Sequence, residues 1–389
     1  MAMEILTQLP LVERALYGED DVFSWSSEQR REFQLTVIRE AFGFHYDRCD
    51  LFRNFCQRHK VLPSSIKSAD DISKIPLIPA AAFKSMEVCS APPDQIVKVC
   101  CSSGTQGSMS RVPRDNQSLE RFLGSIRQSA EQLVRPREDA QIFNLGPDSE
   151  EAADIWLPYV MSALALLRPA DNYVVESTFY VRSLLEDLLA LPQSTEAFVL
   201  GPPVLLHYFL SFLEEEGGRL SLGPRVFVVT VGGWKNALSE QIDRTELVHR
   251  CINYLGLEQA SNVRDVYNMV ELNTVIFECE YGAKHIPPWL VIEALDVENL
   301  SPVPPTYRGL LGFYDALPTS YPGFVLSDDF GAISYQTCRC GRPGPTMDFH
   351  RRVTTVEDRG CALKIDKSTR VIDRMAHITR VSRDESRIR

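Results

Sequence analysis

The sequence lacks any apolar run approaching the ~18 residues that a membrane-crossing helix requires, so no span is expected. It also lacks basic charge in excess. Lys and Arg total 41 against 52 Asp and Glu, a net charge of −11. That argues against a general nucleic-acid or anionic-membrane binder and leaves local basic patches open. The opening MAMEILTQLPLVERALYGEDD carries acids and a proline where a signal peptide needs a basic stretch and then an apolar one. No internal repeat or low-complexity tract is present. GxSxG, HExxH, GxGxxG and the Walker A pattern GxxxxGKS/T are all missing, which removes four common catalytic or nucleotide-binding templates. The seven histidines (His45, His59, His207, His249, His285, His350 and His377) show no metal-ligand pairing and read as structural or surface residues.

What the chain does have is ten cysteines, at positions 49, 56, 89, 100, 101, 251, 279, 338, 340 and 361. Without a signal peptide, a cytoplasmic chain with reduced thiols is expected. Most of these cysteines are then small buried hydrophobes, with room for one or more to be chemical. At roughly 150 residues per domain, 389 residues predict two domains, or one large domain with an appendage. A hydrophobic share of 44% and a charged share of 24% are ordinary for a globular chain and exclude wholesale disorder.

Residues 27–60 read as helical, with Phe33, Val37, Ile38 and Phe42 at helical spacing. Ile96–Cys101 reads as a strand entering a Ser/Gly loop, with a helix from Gln117 to Leu133 after it. Strand-like runs at Ala197–Leu200, Val226–Val231 and Val263–Val266 then alternate with helices near Val204–Glu215 and 239–255, which argues α/β. After about residue 285 the pattern becomes short strands: Trp289–Leu295, Gly309–Tyr314, Gly323–Leu326 and Ala332–Tyr335, a β-rich subdomain. The predicted organisation is a large region over 1–350 and a short C-terminal lid or tail over 351–389.

Three segments carry chemistry. Ser102-Ser103-Gly104-Thr105-Gln106-Gly107-Ser108 lies between a strand and a helix, with Arg111 and Arg114 just beyond. Glycines let backbone N–H groups converge on an anion, hydroxyls add donors, and guanidinium groups suit phosphate. An ordinary exposed Ser/Gly loop is the other reading. Asp265–Asn273 places Glu271 among apolar neighbours, where a carboxylate is costly unless paired or bound to a cation such as Mg²⁺. A helix-start acid is the alternative. Leu326-Ser327-Asp328-Asp329-Phe330-Gly331 places two acids at a turn, where they either cap the turn or accept from ribose hydroxyls.

In this order and spacing the three segments resemble the adenylate-forming ligase superfamily. The resemblance narrows with Ile142–Asp148, Gly201-Pro202-Pro203, Gly232-Gly233-Trp234-Lys235, Val270-Glu271-Leu272-Asn273-Thr274, Lys284–Trp289 and Thr319-Ser320-Tyr321-Pro322. These blocks look like the LuxE-type bacterial acyl-protein synthetases, the long-chain fatty acid–protein ligases, from about Phe44 to about Lys367. Cys338-Arg339-Cys340-Gly341-Arg342 departs from that pattern and resembles phenylacetate–CoA ligases and aromatic-acid adenylating relatives.

The resemblance implies an α/β adenylate-forming domain of mixed sheets flanked by helices, with a β-rich subdomain and a truncated C-terminal appendage. It implies ATP and Mg²⁺ as cofactors and a fatty or aromatic carboxylic acid as substrate. An acyl reductase or acyl acceptor protein is implied as partner, with no nucleic acid. Ser102, Ser103, Gly104, Thr105 and Gly107 would take the phosphates. Tyr267 and Asn268 would lie by the nucleotide, Asp329 on the ribose, Glu271 on Mg²⁺ and Arg352 at the hinge. Gly232 and Gly233 would wall the acyl pocket and floor the adenine. Cys361, in Arg359-Gly360-Cys361-Ala362-Leu363, matches the family's acyl-accepting cysteine. Two other readings stand for it: an inert thiol, or a zinc ligand with Cys338, Cys340 and His350. In full-size members a larger C-terminal domain carries a catalytic lysine, whereas 37 residues follow Arg352 here. The alternative activity is adenylation of an aromatic acid with direct transfer to an amine or hydroxyl.

Overall fold

The computed structural model describes residues 9–102, 109–234 and 241–352. They fall into two compact units. One comprises described residues of Met1–Pro136 and Arg264–Asp358, and the other those of Arg137–Val263. Among the described residues no helix is long and apolar enough to cross a membrane.

The first unit is built on an antiparallel sheet. Its order is Lys284–His285, Thr346–Arg352, Phe324–Ser334, Arg308–Asp315, Leu290–Leu295, with Ile78–Pro79 added in parallel along Phe324–Ser334. The β-rich reading beyond residue 285 therefore holds, with one correction. Gly323–Leu326 and Ala332–Tyr335 are not two strands about a turn but parts of one strand, Phe324–Ser334. Asp328 and Asp329 thus lie mid-strand. A buried acid inside a sheet is tolerable only when partnered, and the strand register puts Arg352 directly opposite Asp329.

Helices cover this sheet. The helical reading of 27–60 resolves into Ser27–Arg48 and Asp50–Arg58, parted at Cys49 where the backbone turns extended. Ser26 and Gln29 form a capping box at the first, satisfying two end N–H groups reciprocally. The core beneath stacks Phe52 on Phe324 at 5.4 Å, with Phe42 edge-on to both. Asn116–Leu133 is capped by Asp115, whose Oδ1 accepts from Ser118 N–H at 2.8 Å. The Ser118 hydroxyl in turn accepts from the Thr319 and Ser320 N–H groups, tying the Thr319–Pro322 block to that helix.

The main-sheet strands of the second unit pair in parallel. Gln141–Asn144 lies between Ala170–Asn172 and Ala197–Gly201, and the latter pairs with Val226–Val231. Ala197–Gly201 is buried at every position, as expected of a strand with helices on both faces. Trp156–Ala165, Val181–Ala190, Pro203–Glu215 and Arg244–Leu255 are the helices of this unit.

Candidate active site

The acidic segment is a loop held from within. After the Val263–Tyr267 strand, Asn268 Nδ2 donates to the carbonyls of Leu272 at 3.2 Å and Thr274 at 2.8 Å. Asn273 Nδ2 donates to the Ser118 carbonyl at 2.8 Å, and its N–H to Asp315 Oδ2 at 2.9 Å. Arg114 is wholly buried, donating to Asn273 Oδ1 and, at 2.7 Å, to the Val270 carbonyl. It was expected to face phosphate, but it is an internal strut for the Val270–Thr274 block. Burial pushes the Asp315 carboxyl up to about 6, although Leu317, Thr274 and Asn273 donate to it and Arg114 lies nearby.

On this frame sit the candidate residues. Asp329, 1% exposed, accepts from the Tyr267 hydroxyl at 2.6 Å and from Arg352 Nε at 2.7 Å, with Arg352 Nη2 at 3.3 Å. Tyr267 stacks on Phe313 at 5.9 Å and leans against Phe349 at 5.6 Å. Burial, then the Asp329 charge, holds the Tyr267 phenol well above its ordinary pKa, so it is a hydrogen-bond donor and not a base. Burial alone would lower the Arg352 pKa, but the adjoining Asp329 carboxylate reverses that and holds it raised. Glu271 is buried with its carboxyl raised above the ordinary range by desolvation. The Ser110 hydroxyl and the Arg352 charge oppose that shift.

Ser110, at the end of the Ser/Gly segment, is the residue to which no role of its own was assigned from the sequence. It closes the neck of the Ser/Gly loop: its N–H donates to Ser102 Oγ at 2.9 Å, and Ser102 N–H donates to its carbonyl at 3.1 Å. The hydroxyl of Ser110 is close enough to the Glu271 carboxyl to lower its pKa against burial. The loop's base and the acidic segment, 161 residues apart, are thereby joined. Ser103, Gly104, Thr105 and Gly107 lie outside the described residues, as does Cys361.

In the other unit, Gly232 follows the Val226–Val231 strand at φ +80°, a left-handed value that favours glycine, and is exposed. The Trp234 indole meets the His207 ring edge-on at 5.5 Å. His207 Nδ1 lies 2.9 Å from Arg250 Nη1, which can only donate, so this nitrogen carries no proton.

Cys338 and Cys340 are near neither His350, which is exposed and 3.4 Å from Arg308, nor any described acid of the Asp329 cluster. His350 is therefore corrected out of the four-ligand set suggested by the sequence, whose other member, Cys361, lies outside the described residues. Cys338 and Cys340 instead converge with Cys279 and His285, all four ligand atoms within 4.8 Å of one another. The spacing Cys279-x5-His285 was visible, but nothing in it placed the pair beside a segment more than fifty residues later.

The fold is shared with adenylate-forming ligases. An open form of 2-hydroxyisobutyryl-CoA ligase, in complex with 2-HIB-AMP and CoA, superposes with a TM-score of 0.68 at 14% identity, covering 89% of this chain and 75% of that one. The same ligase in its postadenylation state with R3-HIB-AMP gives 0.67 at 14% identity, covering 90% and 73%. The narrower assignment comes from sequence. The family of acyl-protein synthetases, LuxE, matches residues 12–369. The long-chain-fatty-acid–luciferin-component ligase of Aliivibrio fischeri is 34% identical over 88% of this chain and 90% of its own length. That of Vibrio harveyi is 33% identical over the same shares. The chain belongs to the LuxE acyl-protein synthetase family and is a ligase.

Proposed function

We propose that this protein activates a long-chain fatty acid with ATP and captures the acyl group on the thiol of Cys361. A carboxylate oxygen attacks the α-phosphorus of ATP, the bond to the β-phosphate bridging oxygen breaks, and pyrophosphate leaves. The thiolate of Cys361, its proton lost to solvent, then attacks the acyl carbon, and AMP departs with the electrons of the broken anhydride bond. The observation that carries the first half is Asp329 held by Tyr267 and Arg352, with the buried Glu271 carboxyl under the influence of both Arg352 and the Ser110 hydroxyl at the base of the Ser/Gly loop. The barrier in adenylation is crowding of negative charge, which fixed donors and cations relieve.

Asp329 is assigned to the ribose hydroxyls and Tyr267 to the nucleotide, with Arg352 orienting Asp329. Asn268 acts by closing the loop on which Glu271 sits. Gly232 and Gly233 are assigned to the adenine and acyl chain, where a side chain would intrude. Glu271 suits Mg²⁺, because Mg²⁺ takes few protein carboxylates and completes its shell with phosphate oxygens and water. When bound, Mg²⁺ would offset phosphate charge. A cation would also relieve the desolvation that raises the Glu271 carboxyl. The relatives' names support a long-chain acid over an aromatic one.

ATP–pyrophosphate exchange across aliphatic and aromatic acids tests the first step. Preference for long chains is expected, and preference for aromatic acids overturns the acid assignment. With radiolabelled myristate, ATP and Mg²⁺, a hydroxylamine-labile protein label is expected. It should vanish in Cys361→Ser while exchange persists, and undiminished label in that variant removes the thioester step.

A further inference from the structure

Three sulfurs and an imidazole meet in the first unit, and none of them is a residue assigned to adenylation. Cys279 Sγ lies 3.7 Å from Cys338 Sγ, and Cys340 Sγ lies 3.3 Å from His285 Nε2. A zinc ion with sulfur at about 2.3 Å and nitrogen at about 2.0–2.1 Å, in a tetrahedron, sets its ligands roughly 3.8 Å apart for sulfur–sulfur and roughly 3.5 Å for sulfur–nitrogen. The observed spacings match both. Cys279 and His285 are buried, and Cys338 and Cys340 are half-buried.

The backbone presents these atoms without help from a metal. Cys338 and Cys340 flank a knuckle in which Gly341 N–H donates to the Cys338 carbonyl at 2.8 Å, and Cys338 N–H to that of Arg342 at 3.2 Å. Gly341 has φ +86°, so the turn requires glycine. Opposite it, Cys279 N–H donates to the Ala283 carbonyl at 3.0 Å, and Gly282 N–H to that of Cys279 at 2.9 Å. His285 stands on the edge strand Lys284–His285, paired with Thr346. Its Nε2 faces the sulfurs, while its buried Nδ1 has no hydrogen-bond partner among the described residues. Packing of small hydrophobes does not explain three thiols and an imperfectly satisfied imidazole aimed at one point.

We propose that Cys279, His285, Cys338 and Cys340 bind one zinc ion, as a closed structural site. Four protein ligands leave no open position for substrate or activated water, which is the mark of structural and not catalytic zinc. The ion would join two turns and an edge strand. From the knuckle the chain runs directly into Thr346–Arg352, the strand that brings Arg352 opposite Asp329. Zinc here would therefore set the register of the strand that carries Arg352. A complete Cys₃His set also frees Cys361 from metal duty, so that its thiol stays open to an acyl group.

The test is metal content of the full chain, purified without chelator from zinc-supplemented cells and measured by mass spectrometry. About one zinc per chain is expected, released in step with mercurial titration of thiols. Cys361→Ser and His350→Ala should keep it, and Cys338→Ser should lose it. Co²⁺ in its place should give thiolate charge-transfer absorption and the d–d bands of a tetrahedral site. If Cys338→Ser does not fold, stoichiometry and the Co²⁺ spectrum of the unmutated chain decide. Substoichiometric metal in folded protein, a Cys279–Cys338 disulfide in place of metal, or zinc lost in Cys361→Ser overturns the proposal. None of these readouts depends on adenylation, so either reading can fail alone.

Discussion

Two buried ion clusters lie in the first unit, and they differ in what they leave over. In one, the Lys284 ammonium sits 2.8 Å from Asp265 Oδ2 and 2.8 Å from Glu278 Oε1, while Asp265 N–H donates to Glu278 Oε2 at 2.8 Å. Burial would lower the Lys284 pKa, but the two carboxylates overcome it and hold the amine charged. The cluster closes on itself and clasps Lys284–His285 to the Val263–Tyr267 strand. In the other, Arg352 is matched to Asp329, while Glu271, equally buried, has a neutral hydroxyl as its side-chain partner. In the first cluster both carboxylates lie at ion-pair distance from the one cation. In the second, Arg352 pairs with Asp329 and Glu271 stays outside that ion pair, which is where the proposed function puts a cation.

The largest expected effect falls on the closed cluster. Lys284→Met leaves the buried Glu278 and the half-buried Asp265 without their shared cation, and removing one partner of a buried pair costs about 3–5 kcal/mol. Its midpoint in urea should drop sharply, while exchange per folded molecule stays near normal. A midpoint unchanged from the parent would erase the distinction. Glu271→Gln should do the reverse. The amide keeps size and can still bond Ser110, yet loses the charge for a cation, so ATP–pyrophosphate exchange should fall about 100-fold, or about 2.7 kcal/mol. Its urea midpoint should hold or rise, because a desolvated charge has gone. Full exchange activity in Glu271→Gln would remove Glu271 from the site.

Most of the fold was readable because it rests on local pattern. Val226–Val231 and Phe33, Val37, Ile38 and Phe42 announce strand and helix by their own periodicity, and Ile96–Cys101 is placed to the residue. The failures share a physical cause. Asp328-Asp329 reads as a turn because adjacent acids are poor strand residues, and only Tyr267 and Arg352, brought from elsewhere, let Asp329 lie within one. Arg114 reads as a phosphate contact by proximity to the Ser/Gly loop, yet strand Arg111–Asp115 points it inward to Asn273. Likewise, Cys338 and Cys340 were recognisable as a pair, but their other partners are set by the antiparallel pairing of Lys284–His285 with Thr346–Arg352. The residues that meet in this cluster were singled out one by one in the sequence, whereas their partnership was not visible there.

The smallest effect comes from a buried polar centre both of whose ring nitrogens are partnered. His45 is wholly buried, with Nε2 3.0 Å from the Pro318 carbonyl and Nδ1 2.8 Å from Ser90 Oγ. The carbonyl can only accept, so Nε2 carries the proton and Nδ1 accepts from Ser90. Burial pushes its pKa down to about 3, against about 6.5 in an unfolded chain. Below pH 6.5 the unfolded chain therefore takes up a proton that the folded one refuses. Stability is present in full above pH 6.5 and is lost as pH falls toward 3, by up to about 1.4 kcal/mol per pH unit. His45→Gln keeps a donor for Pro318 and cannot titrate. Between pH 7 and pH 5 the variant should lose about 2 kcal/mol less stability in urea than the parent, with exchange activity at pH 7 unaltered. Equal losses would mean that His45 opens to solvent before the unit unfolds. Reduced exchange would mean that this satisfied centre, unlike the Lys284 cluster, is coupled to the site after all.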